Sequence, residues 1–287
     1  MTAAEIFDRG YRKFDGDRGG SLSAIRSVNW YTTKSILGLG RKARHKVFPV
    51  IVALVAFLPA IIFLGMAILI GDLLEGELRP EYWELFGFSF MAFLVFTTMV
   101  APEAIVRDRR DGMLPLYLST PLTKVTYLLS KAAAVVSTMM IIVLGPSLLA
   151  LVGFTVQGMG PDGFGTWIET LAKLVLAALT IVIVLGSVAL GAASLTDRRA
   201  FASVAVVMVL LGLAFFVDVM VSGVEAPDTL RLLDPLNLPF EVAPRLFSDR
   251  TPPYQDVSTS LVLLGNLGWV VGGVGTLAAS YRKLGAV

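Results

Sequence analysis

Hydrophobic positions along this chain fall into long unbroken runs rather than at helical or strand intervals. Six runs carry at most one charged residue each: 48–70, 85–105, 132–156, 171–195, 200–224 and 257–280. A helix rises 1.5 Å per residue, so roughly 20 apolar residues cover a hydrocarbon core about 30 Å thick. The pattern predicts an all-α, polytopic membrane protein with six transmembrane helices, its transmembrane domain spanning residues 48–287. Pro59, Pro102 and Pro146 fall inside or at the ends of runs, where membrane helices tolerate kinks. Before the first run, residues 21–46 read as a helix that Ser21 can cap. Leu22, Ile25, Val28, Ile36 and Leu37 give it an apolar surface, and Gly38 and Gly40 bend or break it before Arg41, Lys42, Arg44 and Lys46. A basic, partly apolar helix next to a span suits the headgroup region and contact with membrane lipids.

Charge adds an orientation. Lys and Arg gather in residues 1–47, in 104–131, at Arg198 and Arg199, and at Arg282 and Lys283. The alternate loops are acidic: Asp72, Glu75, Glu77, Glu81 and Glu84 in the first, Asp162 and Glu169 in the second, and Asp228, Asp234, Glu241, Asp249 and Asp256 among those of 225–256. The bias of positive charge toward the cytoplasm predicts both termini on the cytoplasmic side of the membrane. The last outer loop, 225–256, carries six prolines and two short segments, 230–233 and 240–247, that read as interfacial or re-entrant helices.

Residues 102–131 do not read as a passive loop. Pro102 and Glu103 suit the first turn of a helix. Arg107, Asp108, Arg109, Arg110 and Asp111 form a charge cluster, followed by Gly112 and the apolar run Met113, Leu114, Leu116, Tyr117 and Leu118. Pro121 disfavours helix at Thr120, and Thr123 can cap a new helix carrying Lys124 and Lys131. The positive-inside rule accounts for the charges, but an exposed apolar run framed by Gly and Pro marks a docking surface. Asp-Arg-Arg at 108–110 recurs at 197–199; three residues are not a repeat, and the same charge rule explains both copies.

The order acidic residue, basic cluster, Gly, apolar turn, Ser-x-Pro and Lys resembles the segment between the second and third spans of type-2 ABC transporter permeases. There the segment forms a coupling helix that seats on the ATPase subunit. The N-terminal stretch Phe7-Asp8-Arg9-Gly10-Tyr11-Arg12-Lys13-Phe14-Asp15-Gly16-Asp17-Arg18 is similar to the Tyr-Asp-x-Gly-Tyr-Arg-x-Tyr-x-Gly-x-Arg opening of a bacterial subgroup of these permeases. It departs in carrying Phe at both outer Tyr positions. In that subgroup Gly-Leu-Gly-Arg and a basic run follow, as 38–46 do here. Composition alone makes residues 1–20 a disordered basic tail; the resemblance argues for a docking element with Tyr11, Arg12 and Phe14. It implies an exporter built from two permease chains, as homodimer or heterodimer, with separate ATPase subunits holding ATP and Mg. ATPase coupling then falls to 107–121, through Arg107, Arg109, Arg110, Met113, Leu114, Leu116, Tyr117 and Leu118.

Composition excludes other chemistries. The chain has 287 residues, 55% of them hydrophobic, and a mean hydropathy of +0.75. A net charge of +2 implies no nucleic-acid partner. There is no Cys for thiol chemistry or metal ligation, and His45 is the only His. No Walker A, H-E-x-x-H or G-x-S-x-G sequence occurs, so the chain reads as a non-enzyme without its own cofactor or metal. Asp218 is the ionisable residue of the fifth run: it either faces a pathway or is hydrated near the interface. Asn266, Thr97 and Thr98 are further pathway candidates, with interhelical hydrogen bonding as their alternative role. Apolar spans favour a hydrophobic or amphiphilic solute. The competing classes are an ion-gradient-driven transporter or channel, which calls for repeated halves or several midplane charges, and a non-transport membrane scaffold.

Overall fold

The computed structural model describes residues 19–40, 42–74, 80–248 and 254–283. These residues form helices joined by turns and short irregular stretches, with no strand among them, and six helices are long and apolar enough to cross a membrane. Helix α1 is Ser21–Ile36. Helix α2 is Arg44–Leu74, with Pro49 and Pro59 inside it and a non-helical residue at Ile70. Helix α3 is Phe90–Arg110, preceded by the short helix Glu84–Phe88. Helix α4 is the short Leu114–Leu118. Helices α5, α6, α7 and α8 are Lys124–Val156, Gly163–Ala193, Arg199–Gly223 and Thr259–Lys283. The first 18 residues, and with them Tyr11, Arg12 and Phe14, lie outside the described residues.

Burial divides the spans into two groups. Helices α3, α5 and α6 are mostly buried, whereas α2, α7 and α8 keep most of their apolar side chains exposed. In a membrane protein such exposed apolar faces meet lipid or another subunit rather than water. Helix α6 is the axis of the bundle. Its Ala177, Ala178, Ile181, Leu185 and Ala193 are fully buried, and it packs on α3, α5 and α8. Small residues permit the closest crossing. A Cβ on Gly191 would stand 2.8 Å from the Gly273 carbonyl oxygen, so α6 and α8 touch backbone to backbone.

Helix α3 carries the main departure from the sequence pattern. The span expected to end at 105 runs on to Arg110, through a π-helical turn at Pro102–Val106. Proline lacks an N–H and clashes with the carbonyl four residues back, and a wider turn relieves both without ending the helix. Pro102 therefore sits inside a helix rather than at the start of one. Helix α7 has two further π turns, Met208–Gly212 and Val219–Gly223. The last loop folds into 3-10 turns at Asp228–Leu233 and Leu238–Glu241 and a helical turn at Val242–Leu246. These lean on α6 and α8, and Trp269 Nε1 donates to the Leu232 carbonyl at 3.0 Å.

Candidate functional site

One end of the bundle gathers the basic segments and is called the basic end below; the other is the acidic end. At the basic end, the last turn of α3 closes on Gly112, whose φ of +64° suits glycine. The Gly112 amide donates to the Arg109 carbonyl at 3.2 Å and the Met113 amide to the Asp108 carbonyl at 2.9 Å, the hydrogen-bond pair of a Schellman cap. Helix α4 then turns across the bundle end. Ser119 and Thr120 hydroxyls donate back to the Leu116 and Tyr117 carbonyls. Thr123 and Thr126 form a reciprocal capping box that starts α5.

The charges preceding α4 are tied to helices on every side. Asp108 meets Lys131 of α5 at 2.5 Å and accepts from the Tyr127 hydroxyl at 2.9 Å. Lys131 is 4% exposed, so its ammonium is desolvated and depends on that carboxylate. Arg109 points the other way. It meets Asp197 at 2.8 Å, donates to the Ser194 carbonyl at 2.6 Å, and lies over the Tyr281 ring of α8 at 5.6 Å. Ser280 donates to the same Ser194 carbonyl at 2.7 Å. Glu103, turned inward by the π turn, meets Arg199 of α7 at 3.0 Å and Arg107 at 3.3 Å, and accepts from Ser35 of α1 at 2.7 Å. Within two turns of α3, then, polar contacts reach α1, α5, the α6–α7 connection, α7 and α8.

The sequence-selected residues divide accordingly. Arg110 is 73% exposed and Leu116 60% exposed, and both project from the bundle end. Leu114 and Tyr117 are partly buried against the chain's own core, Tyr117 with its ring 5.4 Å from that of Tyr127. Met113 is partly buried and lines a cavity of about 270 Å³ with Tyr31, Ser35, Glu103 and Lys131. Burial and the Asp108 charge both raise the Tyr117 pKa, which keeps that phenol neutral. The Leu118 side chain lies outside the described residues. Arg107 and Arg109 are held by intramolecular partners; the Arg109 side chain is 11% exposed and pairs with Asp197.

Sequence reasoning overlooked Asp197, Arg199, Ser35 and the pairing of Lys131. One signal was present: the Asp-Arg-Arg pairs at 108–110 and 197–199 engage each other, Arg109 with Asp197 directly and Arg199 with Glu103 just upstream. Opposite charges brought to one membrane face pair if the helices between them place them together, which the positive-inside rule does not address.

The pathway candidates separate too. Thr97 and Thr98 donate to the Phe93 and Val95 carbonyls of their own helix, not across helices. Asn266 is buried and donates to the Val262 carbonyl at 2.9 Å and the Leu238 carbonyl at 3.4 Å, fastening the last loop to α8. Asp218, near the acidic end of α7, is exposed and faces a cavity of about 490 Å³.

Six apolar helices, tied together at one end by an ion-paired segment, define a multi-pass α-helical membrane protein. Residues 81–280, from ahead of α3 to the end of α8, match the family model described as ABC-2 family transporter protein, and the chain belongs to that family. Comparison with curated proteins and with solved structures returns no match.

Proposed function

We propose that this chain is the permease subunit of an ABC exporter, moving a hydrophobic or amphiphilic solute with energy from ATP hydrolysed on a separate ATPase subunit. The basic end faces the cytoplasm of a cell inner membrane and the acidic end faces outward, following the Lys and Arg asymmetry. The ATPase docks on α4. Leu116 provides the apolar anchor and Arg110 the exposed steering charge, since buried anchors dominate affinity and rim charges act on rate and register. Two permease chains line the pathway, meeting through apolar faces that α2, α7 and α8 leave uncovered within one chain.

The observation that carries this reading is the way the turn before α4 is fastened. Asp108 holds α5, while Arg109 holds the α6–α7 connection. A push on α4 is therefore delivered to several spans at once, as an ATP-driven switch requires. Coupling travels through packed, ion-paired elements when they have two arrangements that both sites bias. The Arg109–Asp197 pair, whose carboxylate is solvent-exposed, is the contact suited to break and re-form.

The test is copurification from the native host. Leu116→Asp places a charge at the exposed anchor without touching the core. It is expected to abolish recovery of the ATPase while membrane insertion and thermal stability stay at wild-type values. Arg110→Ala is expected to weaken recovery less, with an effect that shrinks at high salt. Full recovery of the ATPase with Leu116→Asp would remove α4 as the docking element.

A further inference from the structure

The cavity at the acidic end is a built pocket rather than a gap between helices. It lies between the start of α3, the end of α7 and the folded last loop, with a volume of about 490 Å³, within the range of pockets that hold small organic ligands. Phe90 and Phe240 form an aromatic wall, their ring centroids 5.4 Å apart. Phe240 is fixed from behind by stacking on Phe93, with ring planes 12° apart. Asp218 enters from α7 at the residue preceding the π turn Val219–Gly223, a helix irregularity found often at functional sites.

The charges lining this pocket differ in what they have left to offer. Asp234 is buried and accepts from the amides of Leu236 and Asn237 and from the Asn237 side chain, at 2.7–3.0 Å. Glu241 is buried and pairs with Arg245. Arg231 meets Asp228 at 2.9 Å, and its guanidinium lies 4.9 Å from the centre of the Tyr254 ring. Burial and the neighbouring Asp234 raise the Tyr254 pKa, so that phenol stays neutral. Asp218 has only a neutral donor among the described residues, the Ser222 hydroxyl at 3.2 Å. Among the described residues the pocket thus offers one exposed carboxylate, held by a single neutral donor, beside two ordered aromatic rings.

We propose that this pocket binds a monovalent organic cation with an apolar body. Asp218 supplies the counter-charge, and Phe90 and Phe240 take the apolar part and the ring-face attraction for the cation. An anion is disfavoured by the surplus of carboxylates, and an inorganic divalent ion by the aromatic walls; no group of three metal-ligating side chains occurs among the described residues. Helix α7 carries Asp218, and at its other end Arg199 meets Glu103, so one helix joins the pocket to the ion-paired basic end. As the class of solute transported, the cation rests on the export reading above; as a ligand of this chain it does not.

The test is binding, without ATPase or transport. The full chain in nanodiscs of zwitterionic lipid is dialysed against tetraphenylphosphonium, and in parallel against tetraphenylborate, an anion of the same shape. Uptake by empty nanodiscs is subtracted. The expected result is saturable phosphonium binding and no saturable borate binding. Asp218→Asn weakens phosphonium binding about tenfold, the scale of losing one charged contact. Asp218→Glu keeps it, and so does Glu169→Gln, which removes an exposed carboxylate elsewhere at the same end. Binding no greater than to empty nanodiscs, equal saturable binding of the borate, or wild-type affinity in Asp218→Asn would overturn the proposal. The comparison of the two ions uses the wild-type chain, so it decides even if a variant fails to fold. Absence of saturable phosphonium binding by the wild-type chain, with the ATPase still recovered, would sink this inference alone.

Discussion

Asp108 and Arg109 are neighbours in sequence and point to different helices, and their environments predict different consequences of mutation. Asp108 is 13% exposed and its partner Lys131 4% exposed. Removing one member of a buried pair strands the other, at a cost of about 3–5 kcal/mol. Asp108→Ala is therefore expected to lower stability by about that amount in a detergent unfolding titration. Asp108→Asn keeps the Tyr127 hydrogen bond and is expected to cost less. Arg109→Ala leaves Asp197, which is 66% exposed, hydrated rather than stranded, so its stability loss is expected to be smaller than that of Asp108→Ala. Its effect should fall on coupling instead: ATP hydrolysis by the assembled complex continues while transport falls. Equal stability losses in Asp108→Ala and Arg109→Ala would contradict this division. Little of this was legible in the sequence. The cluster 107–111 and the apolar run 113–118 stand out by composition, but which charge turns inward depends on helix phase. The π turn at Pro102–Val106 shifts that phase; Pro102 marks an irregularity there but not its direction or size.

At the scale of elements, long apolar runs translate directly into helices because lipid leaves the backbone no other way to satisfy its hydrogen bonds. The ends of helices are less legible. The second span was expected over 85–105, yet Glu84–Phe88 is a separate helix and the span continues to Arg110. Charged residues do not end a helix; Gly112 does, by accepting the left-handed conformation of the cap. The glycines of α8 show the same limit. Gly272 meets nothing within 4 Å, whereas a Cβ on Gly273 would collide with the backbone of Ser187 and Val188. Gly273→Leu is expected to separate α6 from α8 and reduce the yield of folded protein sharply, with Gly272→Ala close to wild type. Size-exclusion recovery after detergent extraction measures both. Equal recovery of the two variants would mean that the α6–α8 crossing does not depend on backbone contact.

For the whole molecule, the fold class followed from hydropathy, while the connection between its two ends did not. Six spans place the basic segments at one end, and their cross-links through Asp108, Arg109 and Glu103 join residues up to 96 positions apart. In the proposed orientation, single Cys residues introduced at Asp162 and Asp256 of this Cys-free chain label with an impermeant reagent in intact cells. Cys at Asp111 and Thr120 labels only after permeabilisation. The reverse pattern would invert the molecule and place the docking helix outside. The central claim, that α4 is where an ATPase applies force, is tested most directly by a photo-crosslinking phenylalanine analogue placed at Leu116 in the native host. The account predicts a covalent adduct with a chain bearing a Walker A sequence, identified by its peptide masses, and no such adduct from position 162. An ATPase that copurifies with the chain yet crosslinks from position 162 and not from 116 would contradict it.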